Sequence, residues 1–261
     1  MHLSRDTGDL EDQVHRAVTA GARRIVVAGG DGSVHEASNG IMRAGGGASL
    51  GVIPSGTGND FAKACDVPLD WELATSLLAK RISEGTVERR IDIGRMNGRY
   101  FANGAGIGFD AKVTQIARSY RIPIGDLVYL LAIFRGMAQG IASPRLRITA
   151  GETIWDGPLT LANVANGPWV GGMFHIAPMA RNGDGHFDLI IAAPVSRLRI
   201  LSLLPRLMSA RHVSEREISH AHVTDLLVEA DDAVLSHLDG EMQPALQRFE
   251  ISLLPGALQL L

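Results

Sequence analysis

Two short glycine-rich stretches carry acidic and hydroxyl side chains where a backbone could hold phosphate. The first is Gly29-Gly30-Asp31-Gly32-Ser33, and the second is Pro54-Ser55-Gly56-Thr57-Gly58-Asn59-Asp60. Each follows an apolar run, Ile25 to Val27 or Leu50 to Ile53, and each opens into residues of helical character. Strand, glycine turn and helix together make a phosphate-binding arrangement: glycines let the backbone approach a polyphosphate, and free N–H groups at a helix start favour its negative charge. Gly29, Gly30, Gly32 and Ser33, with Ser55, Gly56, Thr57 and Asn59, are therefore candidate phosphate contacts. Asp31 differs from them. A carboxylate there would repel phosphate unless Mg2+ or a metal-bound water lay between, so it reads as serving a metal or a proton. In an open parallel sheet, turns at the carboxyl ends of neighbouring strands converge on one crevice.

The elements that must position these turns follow from periodicity. The β-branched run at 25–27 reads as a strand buried on both faces of a parallel sheet, and Val34, Ala37 and Ile41 mark the helix after it. A helix from Asp9 precedes that strand, with Leu10, Val14, Ala17 and Val18 on one face and Gly21 ending it. Asp70 can cap a helix whose apolar stripe is Leu73, Leu77 and Leu78, stopping near Gly85. From Val87 the pattern turns to alternation, and Asn97-Gly98 between two strand-like runs signals a hairpin. The domain boundary is placed near residue 92. Gly104 to Asp110 reads as a glycine-rich bend; its dinucleotide-like spacing is discounted because a hairpin neighbour contradicts the required βαβ context. Further on come a helix over 124–138, strands over 144–164, a loop at 166–172 and a tight polar turn at 180–188 leading into a strand at 189–193. A leucine- and arginine-rich helix at 196–210 is interrupted by Pro205, and strands near 220–229, 234–238 and 249–253 complete the chain.

Taken together, Gly29-Gly30-Asp31-Gly32-Ser33 followed by Pro54 to Ala62 resembles the diacylglycerol kinase and sphingosine kinase catalytic family. The resemblance implies an N-terminal parallel αβ nucleotide-binding domain of NAD kinase-like form (1–92), then a larger antiparallel β-sandwich domain (93–253), with residues 254–261 a tail that can return to the first domain. It implies ATP and Mg2+, and a lipid alcohol such as diacylglycerol as acceptor. By the same resemblance Asp31, Asp60 and Asp92 belong to a carboxylate network around the metal. Glu241, in Asp239-Gly240-Glu241, is the base that takes the hydroxyl proton. The turn at Asp184 holds a structural Mg2+ through its side chain and the carbonyls of Arg181 and His186. Such proteins begin with a strand ending in Asn-Pro. This sequence has no Asn-Pro, so it reads as lacking that strand, and a non-catalytic nucleotide-binding module stands as an alternative beside an NAD kinase-like enzyme.

The bulk properties narrow the partners. In 261 residues the net charge is −3 and 20% are charged, which gives no electrostatic case for nucleic acid. A single cysteine, Cys65, excludes an intramolecular disulfide and suits a cytoplasmic setting. The longest apolar stretch, 127–134, falls short of the ~20 residues a bilayer demands, so any membrane contact is expected to be peripheral, at the inner face. Self-association is left open. The nine histidines show no metal-binding spacing, His220 and His222 sharing one strand face.

Overall fold

The computed structural model describes residues 3–4, 6–85, 89–120 and 125–261. The chain opens with helix α1 (Asp9–Thr19), strand β1 (Arg24–Gly29), helix α2 (Asp31–Arg43) and strand β2 (Ser49–Pro54). Gly8, at the start of α1, offers no side chain to cap the helix. The Glu36 carboxylate of α2 accepts from the N–H of Gly8, Leu10 and Glu11 at 2.9, 3.1 and 3.3 Å, which satisfies donors no helix can satisfy internally. Strands β1 and β2 are parallel, in register from Arg24 opposite Ser49 to Gly29 opposite Pro54. Both glycine turns consequently leave the sheet side by side. The expectation that residues 25–27 are buried on both faces is corrected: Val27 is buried but Val26 is 46% exposed, because only the face bearing Ile25, Val27 and Gly29 is covered, while Arg24, Val26 and Ala28 are exposed on the other.

Next come α3 (Asp60–Ala64) and α4 (Trp71–Glu84). Asp70 caps α4, its Oδ1 accepting from the Leu73 N–H at 2.9 Å, and Gly85 ends it in the left-handed region. The buried stripe is Ala74 and Leu78 rather than Leu73, which faces solvent. Strands β3 (Arg89–Met96) and β4 (Arg99–Phe101) form the hairpin expected from Asn97-Gly98. Both turn residues have positive φ, the geometry that follows strand twist in a two-residue loop. The onset of alternation at Val87 and the helix start at Ile124 lie outside the described residues.

The remaining elements are β5 (Gly104–Gly108), α5 (Phe109–Ser119), α6 (Leu127–Gln139), β6 (Arg145–Ala150), β7 (Glu152–Pro158), β8 (Leu161–Ala165), β9 (Phe187–Ala192), α7 (Arg197–Met208), β10 (Ile218–Val223), β11 (Asp225–Leu238) and β12 (Glu241–Leu260). Three expectations change here. The supposed bend at 104–110 is strand β5, antiparallel to β8 and β11, followed directly by α5. Helix α7 runs through Pro205 without a break. The strands near 220–229, 234–238 and 249–253 are instead β10, a long β11, and a β12 of 20 residues that begins at Glu241.

Strand order along the 12-stranded sheet is β1-β2-β12-β11-β5-β8-β9-β10, with β3–β4 branching from β12 and β6–β7 from β11. The sheet is parallel at β1–β2 and at the end of β12, where Gln259 and Leu260 pair with Ser49 and Leu50, and antiparallel elsewhere. One core gathers Val27, Ile41, Leu50, Phe61, Ile91 and Ile93 with Leu258 and Leu260 from the end of β12. A second fills the sandwich-like half with Phe101, Ile107, Ile148, Phe187, Val228 and Phe249. Helices α5, α6 and α7 share a third cluster through residues such as Phe109, Ile133 and Leu204. Among the described residues no helix is long and apolar enough to cross a membrane.

Candidate active site

The two glycine turns touch. A Cβ on Gly56 would lie 2.4 Å from the Gly30 Cα, and one on Gly30 would lie 2.9 Å from the Gly56 Cα, so neither turn can carry a side chain where they meet. The Ser55 N–H donates to the Gly29 carbonyl at 3.0 Å, extending the β1–β2 pairing into the turns. Asn59, in the left-handed region, spends its side-chain amide on the Gly56 N–H and carbonyl at 3.0 and 2.8 Å. These two bonds fix the shape of the second glycine turn. Ser33 lies over Gly29, where an added methyl group would collide with the Ser33 Oγ. Thr57 and Gly58 line the cleft that opens beyond the turns.

Two carboxylates sit at the base of this cleft. Asp31 starts α2, and its Oδ1 accepts from the Phe61 N–H of α3 at 2.9 Å, tying one glycine turn to the helix after the other. Both oxygens of Asp60 accept from the Gly172 N–H at 3.1 Å. Burial, and then the charge of Asp31, push the Asp60 carboxyl up to about 6; the N–H of Gly172 and Lys63 act in the other direction. Burial likewise raises Asp31, assisted by the charge of Asp239 and opposed by backbone N–H groups and Lys63. The Lys63 ammonium lies 3.6 Å from Asp60 Oδ1, donates to the Gly172 carbonyl, and stands 5.1 Å from the centre of the Trp169 ring. Two crowded carboxylates with raised pKa values form a donor set that suits a divalent cation.

The hairpin between β11 and β12 closes the opposite wall. Asp239 and Gly240 both have positive φ, and the tight turn they make delivers Glu241 to the cleft. A Cβ at Gly32 would lie 3.2 Å from Glu241 Oε1, so this carboxylate rests against the first glycine turn. Arg118 of α5 holds the same oxygen at 2.5 Å. Asp239 is the anchor of the turn. It accepts from the N–H of Ala102, Asn103 and Gly104 at 2.9, 2.8 and 3.0 Å, and from His35 Nδ1 of α2 at 2.9 Å. Burial raises its pKa, but the His35 bond and charge and the backbone donors outweigh this and leave it below the usual carboxylate range. Behind it, His237 Nε2 lies 3.4 Å from the half-buried Asp110, which accepts from the Asn163 side-chain amide at 2.8 Å.

Asp92, expected as a third carboxylate of this network, is placed elsewhere. Its oxygens accept from the N–H of Gly185 and Gly256 at 2.8 and 2.7 Å, so it pins the 182–185 turn and the bend in β12, and it does not line the cleft. At the turn itself the Arg181 carbonyl accepts from the Gly183 N–H at 2.8 Å, and Asp184 accepts from the His186 N–H at 3.3 Å. One exposed carboxylate with flanking carbonyls is an oxygen set that a hard cation accepts. Sequence reasoning missed Arg118, His35 and Lys63. Of these only Lys63 had a local signal, three residues after Asp60 on one helix face.

An αβ half whose paired glycine turns face an acid-bearing hairpin of a β-sandwich-like half defines the NAD kinase-like class of kinases. Residues 1–96 match the diacylglycerol kinase catalytic domain, and residues 104–261 match the YegS C-terminal NAD kinase beta sandwich-like domain. A Pseudomonas aeruginosa protein named "Probable lipid kinase YegS-like" is 33% identical over 99% of this chain and 83% of its own length. A diacylglycerol kinase of Bacillus subtilis is 33% identical over 88% of this chain and 76% of its own. In fold, the chain is similar to a diacylglycerol kinase structure from Bacillus anthracis (TM-score 0.70, 22% identity, 98% of this chain and 82% of that one). It is also similar to an NAD kinase from Archaeoglobus fulgidus in complex with ATP (TM-score 0.51, 12% identity, 99% and 81%). The chain belongs to the diacylglycerol kinase and YegS-like lipid kinase family.

Proposed function

We infer that the chain transfers the γ-phosphoryl group of ATP to the hydroxyl of a lipid alcohol, with diacylglycerol the first candidate. The observation that carries this reading is the contact between Glu241 and the first glycine turn: a carboxylate able to accept a proton stands beside the place where phosphate would lie. In this reading the turns at 29–33 and 55–59 hold the phosphates through their N–H groups. Glu241, held by Arg118, takes the proton as the acceptor oxygen bonds to phosphorus and the bond to ADP breaks. Mg2+ would be held at Asp31 and Asp60, where it would neutralise charge on the transferring group. The turn at Asp184, with the Arg181 and His186 carbonyls, would hold a second, structural Mg2+.

The acceptor's hydrocarbon has a place to go. An apolar hollow lined by Phe109, Ile133, Phe174, Leu204 and Leu207 shares Tyr129, Val170 and Ile176 with the polar cleft, so the two adjoin. A molecule with a hydroxyl at one end and an acyl chain at the other would span both. Around the hollow, Leu127, Leu131 and Phe134 of α6 and Leu198 and Leu201 of α7 are exposed. We read this as the face that meets a membrane to draw lipid from it. Incubation with labelled ATP and Mg2+ against diacylglycerol, sphingosine, phosphatidylglycerol, a polyprenol and NAD tests the reading. Label on a lipid, lost in Asp31→Asn, supports it. Label on NAD alone, or ATP binding without any turnover, overturns it.

A further inference from the structure

Four side chains that the cleft does not use converge at the edge of the sheet. His186 immediately precedes β9 and Asp188 is its second residue, so the two share a face. His222 of β10 stands directly opposite Asp188 in the antiparallel register, and His220 lies two residues along on the same side. Asp188 is buried, with 2% of its side chain exposed, and its Oδ1 lies 2.6 Å from His220 Nε2 and 3.2 Å from His222 Nε2. The rings of His186 and His222 are 4.2 Å apart, and one ligand atom from each of His186, Asp188 and His222 falls within 4.8 Å of the others.

We propose that His186, Asp188 and His222 bind a divalent transition ion of the Zn2+ type, with His220 as the fourth ligand. Balancing one buried carboxylate requires one positive charge, yet three imidazoles surround this one, which is the donor set of a metal centre rather than of a single ion pair. Imidazole nitrogens select Zn2+ and its neighbours over Mg2+, so the site is distinct from the oxygen set of the 181–186 turn. Tetrahedral Zn2+ places its ligand atoms roughly 3.3 Å apart, given metal–ligand distances near 2.0–2.2 Å. His222 and Asp188 already have that separation, at 3.2 Å; His220 lies somewhat closer to Asp188, at 2.6 Å, and the His186 ligand atom lies within 4.8 Å of those of Asp188 and His222. Asp184 Oδ2 lies 3.3 Å from His186 Nε2, a carboxylate–imidazole contact of the kind that orients metal-bound histidines. The His222 side chain, 55% exposed, gives the ion a way in. Bound there, the ion would clamp the edge strand β10 to β9 and to the turn that Asp92 holds.

The test uses the untagged full chain stripped by chelator. Zn2+ should bind with a stoichiometry of one, and at a hundredfold excess over Kd should raise the unfolding midpoint by roughly 5 to 10 °C. Co2+ in its place should give the visible absorption of a tetrahedral site. His222→Ala, at a position whose side chain is 55% exposed, should weaken Zn2+ binding by at least about a hundredfold and abolish the Co2+ bands, while the response to Mg2+ persists. No Zn2+ effect on the parent, or an equal effect on parent and His222→Ala, would overturn the proposal.

Discussion

Glu241 shows how much depends on one carboxylate whose neighbours come from far along the chain. Glu241→Gln preserves the shape beside Gly32 and the bond to Arg118 while removing the basic oxygen. Its kcat should fall by ~100- to 10,000-fold with little change in ATP affinity. Near-normal kcat on a folded variant would remove Glu241 from the chemistry. Asp60 offers a test through pH. Its folded pKa, about 6, lies above the ordinary value of 3.8, so the group favours the fold fully below about pH 4, and that contribution is lost as pH rises through about 6. The shift of ~2 units corresponds to on the order of 3 kcal/mol. Asp60→Asn should therefore gain stability relative to the parent at about pH 8 and not at about pH 4; an equal difference at both, in denaturant titrations, would refute the assignment. Asp31, Asp60 and Glu241 were legible as candidates because each lies inside a short turn of recognisable composition. Arg118 and His35 were not, since their partners lie 123 and 204 residues away and no local pattern encodes such a meeting. Asp92 eludes a sequence reading for the same reason: the donors that occupy it belong to turns that only the fold brings near.

At the scale of elements, the two glycine turns behave as one part. Gly56→Ala would place a methyl group 2.4 Å from the Gly30 backbone, and overpacking of this kind costs typically about 1–3 kcal/mol. It should lower the unfolding midpoint and weaken ATP binding together. A change in stability that left ATP affinity untouched would separate the turns from the nucleotide. The sequence made the Asn97-Gly98 hairpin and the Asp70 cap plain because both rest on short-range chemistry. It did not make plain that residues 104–108 are a strand, since their glycines suit a bend and only pairing with β8 and β11 holds them extended. Nor did it show α7 passing Pro205. The bond that a proline cannot donate is one lost among many in a helix packed by Ile200 and Leu204.

Across the whole molecule, β12 starts at the candidate base and ends in the core of the opposite half, where Leu258 and Leu260 pack with Leu50 and Ile91. Leu258→Ala, at a position with no exposure, should cost about 2–5 kcal/mol and should loosen the αβ half although it lies far from that half in sequence. Hydrogen exchange in β1 and β2 would report this, and unchanged protection there would show that the two halves stand alone. The same strand bears on how the chain is made. A protein emerging from the ribosome ordinarily folds its leading domain while the rest is still being synthesised. Here the leading half cannot complete its interior until the strand that carries Glu241 has also been made, so the glycine turns and Glu241 reach their places in one event. A nascent chain halted before residue 241 would lack Leu258 and Leu260 and would present an unfinished core to chaperones and proteases.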